Sequence, residues 1–115
     1  LNLEWYKRSM LLIEDKINNP IFIIMGDDQN YINNYFKETE TLLISNNDLE
    51  VDLYLMSMCS SGVLSPSSFS WWGGYYARYK SKQTGIFIAP NYWGGHRMKK
   101  WFPPNFKVNW ITYIN

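Results

Sequence analysis

The chain is short of several things, and each shortage closes off a class of protein. It holds one cysteine, Cys59, and one histidine, His96, in 115 residues. A lone thiol makes no intramolecular disulfide, which excludes a small secreted fold stapled by bridges and makes a reducing compartment the default expectation. One cysteine with one histidine cannot supply a structural zinc cluster. No apolar run approaches the ~20 residues a helix needs to cross a bilayer, and no charged-then-apolar leader opens the chain. Net charge is small as well, because 11 Lys+Arg against 10 Asp+Glu leave +1. On that whole-chain balance, nucleic acid and acidic membrane surfaces have no electrostatic case as partners. The chain opens on Leu1 with helix-forming residues already in place, and we expect it to be a piece of a longer protein.

Aromatic residues, by contrast, are in surplus: six Trp, nine Tyr and six Phe make 18% of the chain. Such a surplus serves either an oversized core or a surface that stacks on planar or sugar-like ligands. With 46% hydrophobic residues in this length, a single domain over residues 1–115 with one contiguous core is expected.

Hydrophobic periodicity organises the chain. Leu3, Tyr6, Met10, Ile13 and Ile17 fall on one face of a helix that Asn18, Asn19 and Pro20 close. Ile21, Phe22, Ile23, Ile24 and Met25 form an unbroken apolar run of the kind found in strands buried on both faces, and Gly26, Asp27 and Asp28 end it. A short helix over residues 31–36, a strand over 41–45 and a helix capped by Asp48 follow, with Gly62 ending that helix and Val63 to Ser65 making a short strand. Ser67 or Ser68 then caps a helix from Phe69 to about Tyr79, and Gly85 precedes a strand over residues 86–89 that Pro90 stops. Residues 110–114 read as a strand or an edge segment. Strands alternating with helices at this spacing imply βαβ units and a Rossmann-like parallel sheet with flanking helices, in which residues 21–25 and 86–89 run parallel and central.

In such sheets the ligand site forms beyond the carboxyl ends of the strands. The segment from Pro66 to Tyr76 holds the strongest candidate. A helix start offers unpaired N–H groups and partial positive charge, and Ser67, Ser68 and Ser70 add hydroxyls, which suits a phosphate or diphosphate. The same residues equally describe a helix cap followed by core tryptophans. Gly73, Gly74 and Ala77 would let this helix approach its sheet or a ligand closely, despite glycine's cost of ~1 kcal/mol against alanine in a helix. Asp27 and Asp28 are placed to accept from a nucleobase edge or ribose hydroxyls, or to cap the next helix. Asp52, in an otherwise apolar helix, needs a partner if buried, either a neighbouring loop or a ligand. His96, between Gly95 and Arg97, is a candidate acid/base group or phosphate contact. Cys59 reads as a small core residue. Trp71, Trp72, Tyr75, Tyr76 and Tyr79 are spaced for packing their helix onto the sheet, whereas Tyr92, Trp93, Trp101 and Phe102 flank the ligand edge.

These residues carry a family resemblance. Asp52, Leu53, Tyr54, Leu55, Met56, Ser57, Met58 and Cys59, then an apolar strand, then Ser67, Ser68, Phe69, Ser70, Trp71, Trp72 and Gly73, resemble the C-terminal half of glycosyltransferase family 11. That family comprises the α-1,2-fucosyltransferases and their bacterial relatives. Its pattern there runs roughly D-M-x-L-M-S-x-C-x-H, a strand, then N-S-S-F-S-W-W-G. Asp27 and Asp28 resemble its S-D-D, Ile88, Ala89 and Pro90 its I-A-P, and Pro103, Pro104, Trp110 and Ile111 its closing P-x-x-W-x-x-I region. The resemblance covers the chain from about Tyr6 onward. It departs where Ser61 replaces a histidine, Pro66 an asparagine and Gly26 a serine, and where the family's arginine-bearing H-x-R-x-G-D-like motif has no counterpart.

The resemblance implies the C-terminal, nucleotide-sugar-binding domain of a GT-B type enzyme, with GDP-fucose as donor, transfer to a glycan acceptor, and no metal or other cofactor. Carried over by position, Ser67, Ser68, Phe69 and Ser70 would lie against the diphosphate, and Asp27, Asp28 and Asp52 near the rest of the donor. No catalytic base is assigned. A missing N-terminal half of the same enzyme is the implied partner, the chain alone is expected to be inactive, and a bacterial cytoplasmic or peripheral membrane location in polysaccharide biosynthesis follows. A transferase using another nucleotide sugar such as UDP-galactose, or a non-catalytic carbohydrate-binding or interaction domain of this fold, are the alternatives.

Overall fold

A computed structural model describes residues 1–102, 104 and 107–115, and for His96 the backbone alone. It is an α/β structure of four α-helices and five parallel-paired strands among the described residues, and it divides into two compact units. One comprises Asn2–Asp52 and the other Leu53–Asn115 together with Leu1.

The N-terminal unit begins with α1 (Leu3–Glu14), whose cap Asn2 accepts a hydrogen bond from the Trp5 amide at 2.9 Å. Its most buried residues are Trp5, Ser9 and Ile13, and Leu3, Tyr6, Met10 and Ile17 of the expected stripe lie half-buried beside them. Trp5, with the most apolar area to hide, is the addition that the stripe omitted. Ser9 is admitted to that face because its hydroxyl donates to the Trp5 carbonyl one turn back, at 2.8 Å. Strand β1 (Phe22–Ile24), helix α2 (Gln29–Tyr35) and strand β2 (Leu42–Ile44) then form a crossover unit in which Phe22 pairs with Leu42 and Ile24 with Ile44. Both strands are only partly buried, and Ile21 is exposed.

Helix α3 (Leu49–Met58) contains the boundary between the units and ends four residues before Gly62, which instead opens strand β3 (Gly62–Val63). In the C-terminal unit, α4 (Ser68–Lys80) carries the chain from β3 to β4 (Phe87–Pro90), and β4 lies between β3 and β5 (Ile111–Ile114). Every residue of β4 is buried. Around it Leu64, Ala77, Phe87, Ala89, Trp93 and Ile111 make one core, with Trp71, Trp101 and Trp110 packed against it. Pro90 is tolerated as the last residue of β4, level with Ile114, because a strand end can do without one N–H donor. The return from β4 to β5 uses a 3₁₀ segment, Trp93–Met98, where parallel crossovers more often use an α-helix.

The strands therefore do not join one sheet. Residues 22–24 pair with β2, and residues 87–90 pair with β3 and β5. Apolar runs identify strands, but partner choice is set by crossovers and by which faces are covered, and periodicity does not encode these. A second property follows the same division. Residues 1–52 hold all ten Asp and Glu with four Lys and Arg, while residues 53–115 hold seven Lys and Arg and no carboxylate side chain. The near-zero net charge is a sum of opposites.

Candidate functional site

The serine segment after β3 is built from its own backbone. The Ser67 amide donates to the Ser65 carbonyl at 2.7 Å, which folds a turn around Pro66 and aims α4. Ser67 is the N-cap, its Oγ accepting from the Ser70 amide at 3.1 Å while its carbonyl accepts from Trp71. Ser70 is buried and its hydroxyl donates back to the Ser65 carbonyl. Two of the three hydroxyls are thus committed to holding the turn. Ser68 is exposed, makes no hydrogen bond among the described residues, and stands at the first position of the helix beside the unpaired Ser68 and Phe69 amides. What remains open to a ligand is one hydroxyl, two N–H groups and the positive end of a 13-residue helix.

Close packing orients this terminus. Gly73, Gly74 and Ala77 are buried, and a Cβ on Gly74 would lie 2.8 Å from Leu64 Cδ1, so α4 seats itself against the strand through its small residues. Their sequence reading as a face for close approach to the sheet is met. The aromatic reading is only partly met: Trp71 stacks on Tyr75 at 5.4 Å and meets Trp110 edge-on, but Trp72, Tyr75, Tyr76 and Tyr79 are exposed. With Gly74 against Leu64 and Gly73 against Met56 of α3, the bulky residues have only the outer face left to occupy.

The acidic candidates belong to the N-terminal unit. Asp28 is the N-cap of α2, accepting from the Tyr31 amide at 2.9 Å, whereas the exposed Asp27 carboxylate makes no hydrogen bond among the described residues. Asp52 is 7% exposed and accepts from the Ser45 hydroxyl, which itself accepts from Asn47 Nδ2 at 2.8 Å. Its partner is the loop that leaves β2. Gln29 links the two strand ends, its Nε2 donating to the Gly26 carbonyl at 2.8 Å and the Ser45 carbonyl at 3.2 Å. Sequence reasoning missed both roles: Ser45 carries one signal, a polar residue directly after an apolar run, and Gln29, three residues past Gly26, carries none. An open depression of about 370 Å³ between α2 and β2 is lined by Gln29, Asn33, Lys37, Glu38 and Asn46 among others, and by none of the expected site residues.

Of the other candidates, Trp93 is in the core and Trp101 packs on it, leaving Phe102 exposed. The His96 side chain and Pro103 lie outside the described residues. Cys59 donates to the Leu55 carbonyl at 3.3 Å, and burial pushes its thiol above the usual range. No group of three or more His, Cys, Asp and Glu suited to a metal ion occurs among the described residues, and no helix there is long and apolar enough to cross a membrane.

The model of glycosyl transferase family 11 matches residues 2–115, and the chain is a member of that family. It is 27% identical over 121 residues to the O-antigen biosynthesis glycosyltransferase WbnK of Escherichia coli, covering all of this chain and 36% of the relative. It is 34% identical over 94 residues to an alpha-1,2-colitosyltransferase of Escherichia coli, covering 77% of this chain and 31% of the relative. The chain thus spans about a third of the length of these curated relatives. No solved structure matches it significantly.

Proposed function

We propose that the chain is the C-terminal, donor-binding part of a GT-B type family 11 glycosyltransferase that takes GDP-fucose and transfers the sugar in α-1,2 linkage to a glycan acceptor of a bacterial surface polysaccharide. The observation that carries the reading is the start of α4: a free Ser68 hydroxyl beside two free amides, in a unit with seven cationic and no carboxylate side chains. Such a terminus holds a diphosphate in the ground state and stabilises the charge that grows on it as the anomeric carbon is attacked, with no metal required. Within the C-terminal unit, Ser67 and Ser70 act by holding the turn that presents these groups; within the N-terminal unit, Asp28 and Asp52 are taken up by a helix cap and a loop, which leaves Asp27 as the acidic side chain without a hydrogen bond among the described residues. An O-antigen biosynthesis glycosyltransferase and an alpha-1,2-colitosyltransferase among the relatives support a polysaccharide acceptor and an α-1,2 linkage. The colitosyltransferase keeps a second donor sugar, colitose, in play. The remaining two thirds of the relatives' length would supply the acceptor side, so this chain alone binds donor without turning it over.

Calorimetry and ligand-observed NMR test this with GDP, UDP and free fucose. GDP binds weakly but in preference to the other two. Ser68→Ala lowers GDP affinity several-fold and changes stability by less than about 0.5 kcal/mol, as expected for an exposed side chain without partners. Ser67→Ala loses the cap and costs about 1 kcal/mol in denaturant unfolding. Equal affinity for GDP and UDP rejects the donor assignment, and GDP affinity unchanged in Ser68→Ala rejects the diphosphate position.

A further inference from the structure

Helix α4 reverses the usual arrangement of an amphipathic helix. Its buried side is small, Ser70, Gly73, Gly74 and Ala77, and its outer side is a band of Trp72, Tyr75, Tyr76 and Tyr79, with Tyr79 76% exposed. Viewed down the axis at 100° per residue, Arg78 borders this band on one side and Lys80 on the other, with Lys82 just past the last turn. Lys80 extends the patch onto α3, where its Nζ lies 5.5 Å from the Tyr54 ring centroid and 3.0 Å from Met58 Sδ. Tyr54 and Met58 are exposed too.

We propose that this face docks on an anionic lipid surface. The inference goes beyond the donor reading and does not rest on it. Tyr and Trp with a cationic border, and no Leu or Ile, is the chemistry of the headgroup level of a bilayer, where rings lie among apolar groups while hydroxyl and indole N–H groups stay wet. Charge complementarity selects the sign: with no Asp or Glu anywhere in residues 53–115, nothing in the unit opposes approach to an anionic surface. A single-stranded nucleic acid fits less well, because the rings are spent on one another. Trp72 meets Tyr75 edge-on at 5.7 Å and Tyr75 meets Tyr76 edge-on at 6.0 Å, which leaves Tyr79 as the one ring of the band with no aromatic neighbour among the described residues, too few for a row of stacked bases.

The test is co-sedimentation of the full chain with vesicles of phosphatidylcholine alone or with 30% phosphatidylglycerol, at low and high salt, alongside Trp emission. Binding is expected on the anionic vesicles, with a blue shift, and is expected to fall in high salt and on neutral vesicles. Lys80→Gln with Lys82→Gln lowers it by roughly 25-fold, about fivefold for each lysine at an anionic surface. Tyr76→Ser with Tyr79→Ser lowers it at constant charge, while GDP binding and the circular dichroism spectrum stay as in the parent. Equal binding to both vesicle types, parental binding by the tyrosine variant, or tighter binding to an oligonucleotide than to vesicles overturns the proposal. So does a tyrosine variant that changes the sedimentation coefficient in free solution and leaves vesicle binding intact, because the face then belongs to a second copy.

Discussion

The two units of this chain use the same parallel pairing and differ in how they close it. In Leu53–Asn115 a fully buried strand runs between two others, and tryptophans from α4 and the β4–β5 crossover pack the space around it. In Asn2–Asp52 the two strands are half-covered, and the joints are polar: Gln29 across the strand ends, Asp28 on α2, Asp52 on Ser45. Apolar burial stabilises without regard to direction, while a buried carboxylate contributes only as long as its donors stay in place. The difference also separates charge, leaving the aromatic unit cationic and the polar unit anionic.

The largest expected effect tests the contrast in packing. Leu64→Ala, at a side chain 2% exposed in the β4 core, costs ~2–5 kcal/mol in urea unfolding, and Ile32→Ala falls toward the low end of that range because its half-covered surroundings can relax into the gap. Amide exchange reports the same contrast without mutation, with β4 slowest and β1 and β2 faster. Equal protection of the two units would erase the distinction. Next comes Asp52→Ala, which strands the buried Ser45 hydroxyl and costs about 1–3 kcal/mol, with the loss confined by exchange to the N-terminal unit. A loss spread over β4 as well would show that the polar joint supports both units.

The smallest effect concerns Cys59, half-buried in the aromatic unit. Burial disfavours the thiolate, so the native thiol titrates above its unfolded counterpart of about 8.5. The sign follows: stability is unchanged below that value and declines as pH climbs through the native pKa, because the unfolded chain loses its proton first. Iodoacetamide at pH 8 should therefore label the folded chain more slowly than the urea-unfolded one, and equal rates would mean that the thiol is open to solvent.

Much of this was legible beforehand where the signal is local. Ser67 as a cap, Asp28 as an alternative cap, the parallel strands and the small face of α4 all follow from residue types within a few positions of one another. An aspartate in an apolar helix shows that Asp52 needs a partner, but Ser45 lies seven residues away across a loop, and no periodicity connects them. Assigning Trp72, Tyr76 and Tyr79 to packing failed for a related reason. Spacing shows that they share a face, and only the fit of Gly73 and Gly74 against Met56 and Leu64 shows which face turns inward.

By itself, then, the sequence determined the α/β alternation, the turns and caps, and the family, because these depend on local chemistry and on a long, tryptophan-rich motif. The tertiary structure decided how the strands divide between two sheets and which serine is left free. Those outcomes depend on which surfaces meet, and burial is a property of the folded arrangement rather than of any residue in it.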